Sequence, residues 1–93
     1  MKKNAQSKSS KIILILGGGF IGSYLFYYLS KVGNRVFLVT RRDLSSHILV
    51  QKTLNSNRLS KIIREDVLSF DLTRFTRENS DNIDVIINCA GLS

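Results

Sequence analysis

A chain of 93 residues, 43% apolar and 23% charged, is at most one small folded domain, and nothing in it is repetitive enough for a solenoid or biased enough for a disordered segment. A single cysteine, Cys89, and a single histidine, His47, exclude an internal disulfide and a zinc site and fit a reducing, cytoplasmic compartment. The net charge of +7 invites a nucleic-acid partner, but Lys and Arg run the whole length and aromatics do not interleave with them as a stacking platform requires, so none is expected.

Residues 1–10, "MKKNAQSKSS", are polar, basic and without periodicity, the pattern of a flexible tail. Residues 12–16, "IILIL", form a short continuous apolar run stopped by three glycines, which reads as a strand covered on both faces. From Ile21 the period changes: Ile21, Leu25, Leu29 and Val32 predict one face of a helix that Gly33 and Asn34 end. "RVFLVT" (35–40) is a second strand. "DLSSHILVQKTL" is a helix with Asp43 or Ser45 as its N-cap and His47 as a solvated or packed side chain. "KIIRED" (61–66) is a weaker third strand, "SFDLTRFTRENS" a short helix or turn, and "DVIINCAG" (84–91) opens a fourth buried strand. Strands alternating with helical segments predict a parallel, doubly wound α/β sheet, because parallel neighbours need a crossover.

Between the first strand and the first helix, Gly17, Gly19 and Gly22 satisfy G-x-G-x-x-G. The first glycine permits the tight turn, the second lets the backbone approach a pyrophosphate, and the third lets the helix pack close to the strand. The phosphates would rest on unpaired N–H groups at the positive end of the helix dipole. The same run, residues 12–29, is uncharged, nearly long enough to span a bilayer, and follows a positive N-terminus. Against a membrane anchor stand the glycines in its middle, each costing about 1 kcal/mol of helix propensity relative to Ala. The further buried-strand patterns downstream also argue against it, so no membrane partner is expected.

At the end of the second strand an NAD site normally places an Asp or Glu on the ribose 2′-hydroxyl. Here Thr40 stands at that position and Arg41 and Arg42 follow, two guanidiniums suited to a 2′-phosphate through charge-assisted hydrogen bonds. NADP is favoured. NAD remains open through Asp43.

With these residues in hand, residues 11–93 resemble the N-terminal, cofactor-binding half of short-chain dehydrogenases/reductases, most like the extended branch of NAD(P)-dependent epimerases and dehydratases. "LGGGFIGSYL" is similar to that branch's GxxGFIG turn, with Phe20 and Ile21 in place and Leu16 where its first glycine stands. The resemblance implies an incomplete Rossmann-type sheet of about four strands in the order 3-2-1-4. It implies adenine contacts from Asp66 and Val67, and a cleft lined by Cys89, Ala90 and Gly91. It also implies a nucleotide-sugar or similar hydroxyl/carbonyl substrate and room for a homo-oligomer of the full-length enzyme. The family's catalytic Tyr-x-x-x-Lys pair is expected beyond Ser93. The one such spacing here, Tyr27 to Lys31, lies on the wrong helix to serve. No catalytic residue and no metal ligand is therefore assigned.

An apolar fourth strand ending at an open edge is an aggregation hazard, which leads us to expect a fragment. The other readings are a stand-alone, non-catalytic dinucleotide-binding module and a small membrane-anchored basic protein.

Overall fold

The structure, a computed structural model, describes residues 10–79 and 82–91. Its elements are β1 (Ile12–Leu16), α1 (Phe20–Lys31), β2 (Arg35–Thr40), α2 (Ile48–Ser56), β3 (Lys61–Arg64), a 3-10 turn (Val67–Ser69), α3 (Leu72–Asn79) and β4 (Val85–Asn88). The four strands form one parallel sheet in the order β3-β2-β1-β4, the order expected for a doubly wound fold. Most of the expected basic tail, residues 1–9, lies outside the described residues. Ser10 is described, and its Oγ donates to the Gly33 carbonyl at 2.8 Å.

The central strands β1 and β2 are covered on both faces, which is why they are continuously apolar, whereas β4, expected to be buried, is an edge strand covered on one face only, with Ile86 48% exposed. Ile13, Ile15, Val36 and Leu38 point to one face and pack with Phe26 of α1 and Val50 of α2. Leu14, Phe37 and Val39 point to the other, where Ile63, Phe70 and Phe75 close over them. The Phe37 and Phe75 rings meet edge to face at 5.0 Å. Leu14, Ile15, Val36, Leu38 and Val39 are fully buried. Each such side chain contributes about 1.5–3 kcal/mol of transfer free energy.

Helix α1 does not bury the stripe that hydrophobicity predicts. Val32 is 56% exposed and Ile21 38%, while the buried positions are Gly22, Ser23, Phe26 and Ser30, with Leu25 and Leu29 packed at the margin. Small residues carry this face because the helix lies close to the sheet. Their hydroxyls are satisfied internally: Ser23 Oγ donates to the Gly18 carbonyl at 3.0 Å, and Ser30 Oγ lies 2.8 Å from Ser60 Oγ, which accepts from Val36 N–H. The helix ends in a Schellman motif, with Asn34 N–H on the Leu29 carbonyl and Gly33 N–H on Ser30, and with Gly33 at φ 105.

The N-cap of α2 is neither Asp43 nor Ser45. His47 holds that position and its Nδ1 accepts from Val50 N–H at 3.4 Å. Asp43 instead closes a local turn by accepting from Ser45 N–H at 3.0 Å, which starts the chain's reversal too early to be the cap. The run 12–29 is divided between a strand, a glycine turn and a 12-residue helix, and no helix among the described residues is long and apolar enough to cross a membrane.

Candidate functional site

At the carboxyl ends of β1, β2 and β4 the sheet opens into a cleft of about 380 Å³. This is where strand order reverses, since β1 is followed in sequence by β2 on one side and paired with β4 on the other. A crevice forms there because the crossovers leave β1 in opposite directions. Four segments line it: the glycine turn (Gly17, Gly18, Gly19), the β2 end (Thr40, Arg41, Arg42), the start of the 3-10 turn after β3 (Asp66, Val67), and the β4 end (Cys89, Ala90, Gly91).

The glycine turn is fixed by contacts that leave no room for side chains. Gly17 has φ 108, and a Cβ there would lie 2.8 Å from Ala90 N. Its N–H donates to the Val39 carbonyl at 2.8 Å, which ties the turn to β2. A Cβ on Gly18 would lie 2.6 Å from the Thr40 side chain, and one on Gly22 would overlap the Gly17 carbonyl oxygen. The chain can therefore leave β1, reverse over β2 and β4, and enter α1 only without side chains at these points.

Gly19 is the N-cap of α1; no side chain caps this terminus and no acidic residue lies in its first turn. The first N–H groups of a helix have no partner inside it, so this end leaves unpaired donors beside the cleft that Gly19 lines. Phe20 and Ile21 occupy the first turn with exposed side chains, 77% and 38%, and Gly22 packs inward; these three do not line the cleft.

Thr40 is buried at 3% exposure, wedged beneath Gly18, and its Oγ1 accepts from Arg42 N–H at 3.0 Å. The side chain at the β2 end is thus committed to shaping the turn. The ionic groups offered to the cleft are the exposed Arg41 and Arg42 and, opposite them, Asp66. Arg41 Nη1 stands 3.8 Å from Asp66 Oδ2. The Asp43 carboxyl is held below the usual carboxylate range chiefly by the Ser45 N–H, with Arg64 adding to the effect, and it does not line the cleft.

On the far wall Cys89 is buried, its N–H donating to the Leu16 carbonyl at 2.8 Å, and burial pushes its thiol up from the ordinary 9.0. Tyr27 and Lys31 lie away from the cleft, where Lys31 Nζ donates to Tyr27 Oη at 3.4 Å.

Gly18 is the cleft residue that the motif reading misses. It is an "x" in G-x-G-x-x-G, and only the threonine at the β2 end makes a glycine necessary there. "GGG" followed by a β2 ending in a β-branched residue was the available signal.

The family model of ketopantoate reductase, PanE/ApbA, matches residues 13–90, from the first residues of β1 to the β4 end of the cleft. The chain belongs to the ketopantoate reductase family. No curated protein and no solved structure matches it.

Membership in the ketopantoate reductase family corrects the resemblance to extended short-chain dehydrogenases/reductases. A strand, G-x-G-x-x-G and helix is a shared solution to seating a pyrophosphate and does not separate families that use it. Leu16, where the epimerase turn has its first glycine, is a strand residue here, in register with Val39 on one side and Asn88 on the other. The epimerase or dehydratase chemistry and the nucleotide-sugar substrate had no support besides that resemblance. What stands is a Rossmann-like NAD(P)-binding module of the ketopantoate reductase family.

Proposed function

We propose that this chain holds NADP(H) for an oxidoreductase of the ketopantoate reductase type. The observation that carries the reading is the meeting, in one cleft, of an uncapped helix N-terminus over a side-chain-free turn with two exposed arginines at the β2 end. A pyrophosphate fits the first: backbone N–H groups donate to it and Gly19 permits the approach. A 2′-phosphate fits the second, with Arg41 and Arg42 as its cations and no carboxylate side chain at the β2 end to take a ribose 2′-hydroxyl instead. Asp66 and Val67 would flank the adenine, and Cys89, Ala90 and Gly91 would form the wall towards the reactive end of the cofactor.

When bound, the dinucleotide supplies a hydride to a carbonyl carbon or takes one from a hydroxyl-bearing carbon. The residues of this chain bind and orient it; the ketone class named by the family, a 2-oxo acid such as ketopantoate, is the proposed substrate of the whole enzyme. The expected absence of a catalytic residue within the chain belongs to the same proposal.

The test is titration with NADPH, followed by nucleotide fluorescence and by the thermal midpoint. Gly19 has φ −73, outside the left-handed region, so Gly19→Val is not barred by its φ, and the midpoint of the variant without nucleotide separates loss of the fold from loss of the ligand. Wild type should show a midpoint that rises with NADPH. Gly19→Val should lose most of the affinity. Undiminished binding by the variant, or none by a folded wild type, would sink the assignment.

A further inference from the structure

We propose that Asp66 sets how strongly this cleft prefers a dinucleotide bearing a 2′-phosphate over one without it, by holding the Arg41 guanidinium across the mouth of the cleft. The inference rests on the dinucleotide reading above and goes beyond the adenine contact expected of Asp66.

The two oxygens of this carboxylate have different partners. Oδ1 accepts from Leu68 N–H at 3.0 Å, and the Asp66 carbonyl accepts from Ser69 N–H at 3.1 Å, so the residue is fixed at the start of the 3-10 turn. Oδ2 is left to Arg41, 3.8 Å from Nη1. The arginine side chain is 77% exposed against 41% for the aspartate, which makes the guanidinium the mobile member of the pair. The separation exceeds the roughly 2.7–2.9 Å of a charge-assisted hydrogen bond, so Arg41 is attracted without being clasped. Exposed pairs of this kind contribute little to folding. Their consequence is where the free cation spends its time.

Asp66 is the one carboxylate among the residues lining the cleft; Asp43 faces Ser45 and Arg64 instead. A phosphate arriving at Arg41 and Arg42 must draw Arg41 off Asp66 and then sit near that negative charge. A 2′-hydroxyl meets neither demand. Asp66 therefore opposes the phosphorylated dinucleotide selectively, and its neutralisation should sharpen the preference.

Asp66→Asn removes the charge and keeps an acceptor for Leu68 N–H. Dissociation constants for NADPH and NADH should be measured by fluorescence titration at low and high salt. The proteins compared are wild type, Asp66→Asn, Arg41→Ala and the double variant. The NADPH preference should rise about threefold to fivefold in Asp66→Asn at low ionic strength, in line with exposed charge pairs of the upper range. The gain should shrink with salt and lose at least half its size in the Arg41→Ala background. Asp66→Ser, which also caps, should behave like Asp66→Asn and covers the case in which the first variant does not fold. An unchanged or reduced preference while wild type binds NADPH overturns this inference and leaves the dinucleotide reading intact. A folded wild type that binds neither nucleotide overturns both.

Discussion

Gly22 on α1 stands against the carbonyl of Gly17 so closely that a Cβ at position 22 would overlap the carbonyl oxygen. The clash is with backbone of the turn that joins β1 to α1, so the helix cannot yield without moving away from the turn. Gly22→Ala should destabilise the domain by about 3 kcal/mol, at the upper end of overpacking effects. Gly33→Ala is the control. A Cβ at Gly33 meets nothing within 4 Å, and only the positive φ of 105 resists it, at a cost of about 1 kcal/mol. Urea denaturation of the two variants should rank them in that order. Equal losses would mean that helix-to-turn packing is not what Gly22 provides.

Arg41 and Arg42 flank the end of β2 with their side chains in solvent, while the neighbouring Thr40 is buried beneath the glycine turn. Replacing both arginines by Ala removes charge from the cleft without disturbing the core. NADPH affinity should fall at least about tenfold, the equivalent of one charge-assisted hydrogen bond, and NADH affinity much less. Parallel titrations with the two nucleotides check this. Equal losses would show that the arginines attract the dinucleotide in general and do not read the 2′ position.

Different parts of the structure were legible in the sequence for different reasons. β1 and β2 are buried on both faces, so their apolar runs are unbroken, and the glycine spacing is a backbone requirement that only glycine meets. The buried face of α1 was not legible, because periodicity counts apolar residues and this face depends on Gly22, Ser23 and Ser30. Ser23 and Ser30 are polar in sequence but satisfied in the fold by partners 5 and 30 residues away. His47 was missed as a cap because Asp43 and Ser45 are better acceptors in isolation, yet each lies before the chain has turned onto the helix axis. The need for glycine at position 18 depends on Thr40 at the end of the neighbouring strand, 22 residues away in sequence, and no local pattern carries that. Family membership was not legible in the glycine turn, because a strand, G-x-G-x-x-G and helix is shared by families that bind dinucleotides.

Ser60 shows how much rests on one buried hydroxyl. Its Oγ accepts from Val36 N–H at 3.0 Å and lies 2.8 Å from Ser30 Oγ, and the side chains of both serines are enclosed between α1, β2 and the loop that precedes β3. Ser60→Ala leaves the Val36 N–H without its acceptor and should cost about 1–3 kcal/mol. For a domain of this size that is a fall of roughly 4–8 °C in midpoint per kcal/mol. Ser30→Ala leaves the Val36 bond in place and should cost less. A calorimetric scan of both variants decides it. If Ser30→Ala is the worse of the two, the hydroxyl pair matters more than the backbone N–H.

Cys89 follows β4 at the wall of the cleft and is 3% exposed. Burial favours the neutral thiol, so its value in the folded protein lies above the ordinary 9.0. The sign for stability follows. A group raised on folding binds its proton more tightly in the native state, so its contribution is complete below pH 9.0 and is lost as the pH climbs through the native value. The urea midpoint of the wild type should therefore decline above that pH more steeply than that of Cys89→Ala, which lacks the thiol. Reaction with iodoacetamide gives the kinetic counterpart: the folded thiol should react far more slowly than a free cysteine at pH 8 and reach the free rate in urea, because the thiolate is the nucleophile. If NADPH occupies the cleft beside this residue, saturating nucleotide should slow the reaction further. Alkylation at the free rate in the native protein would show that the β4 end opens to solvent, and the wall assigned to the cofactor cleft would have to be redrawn.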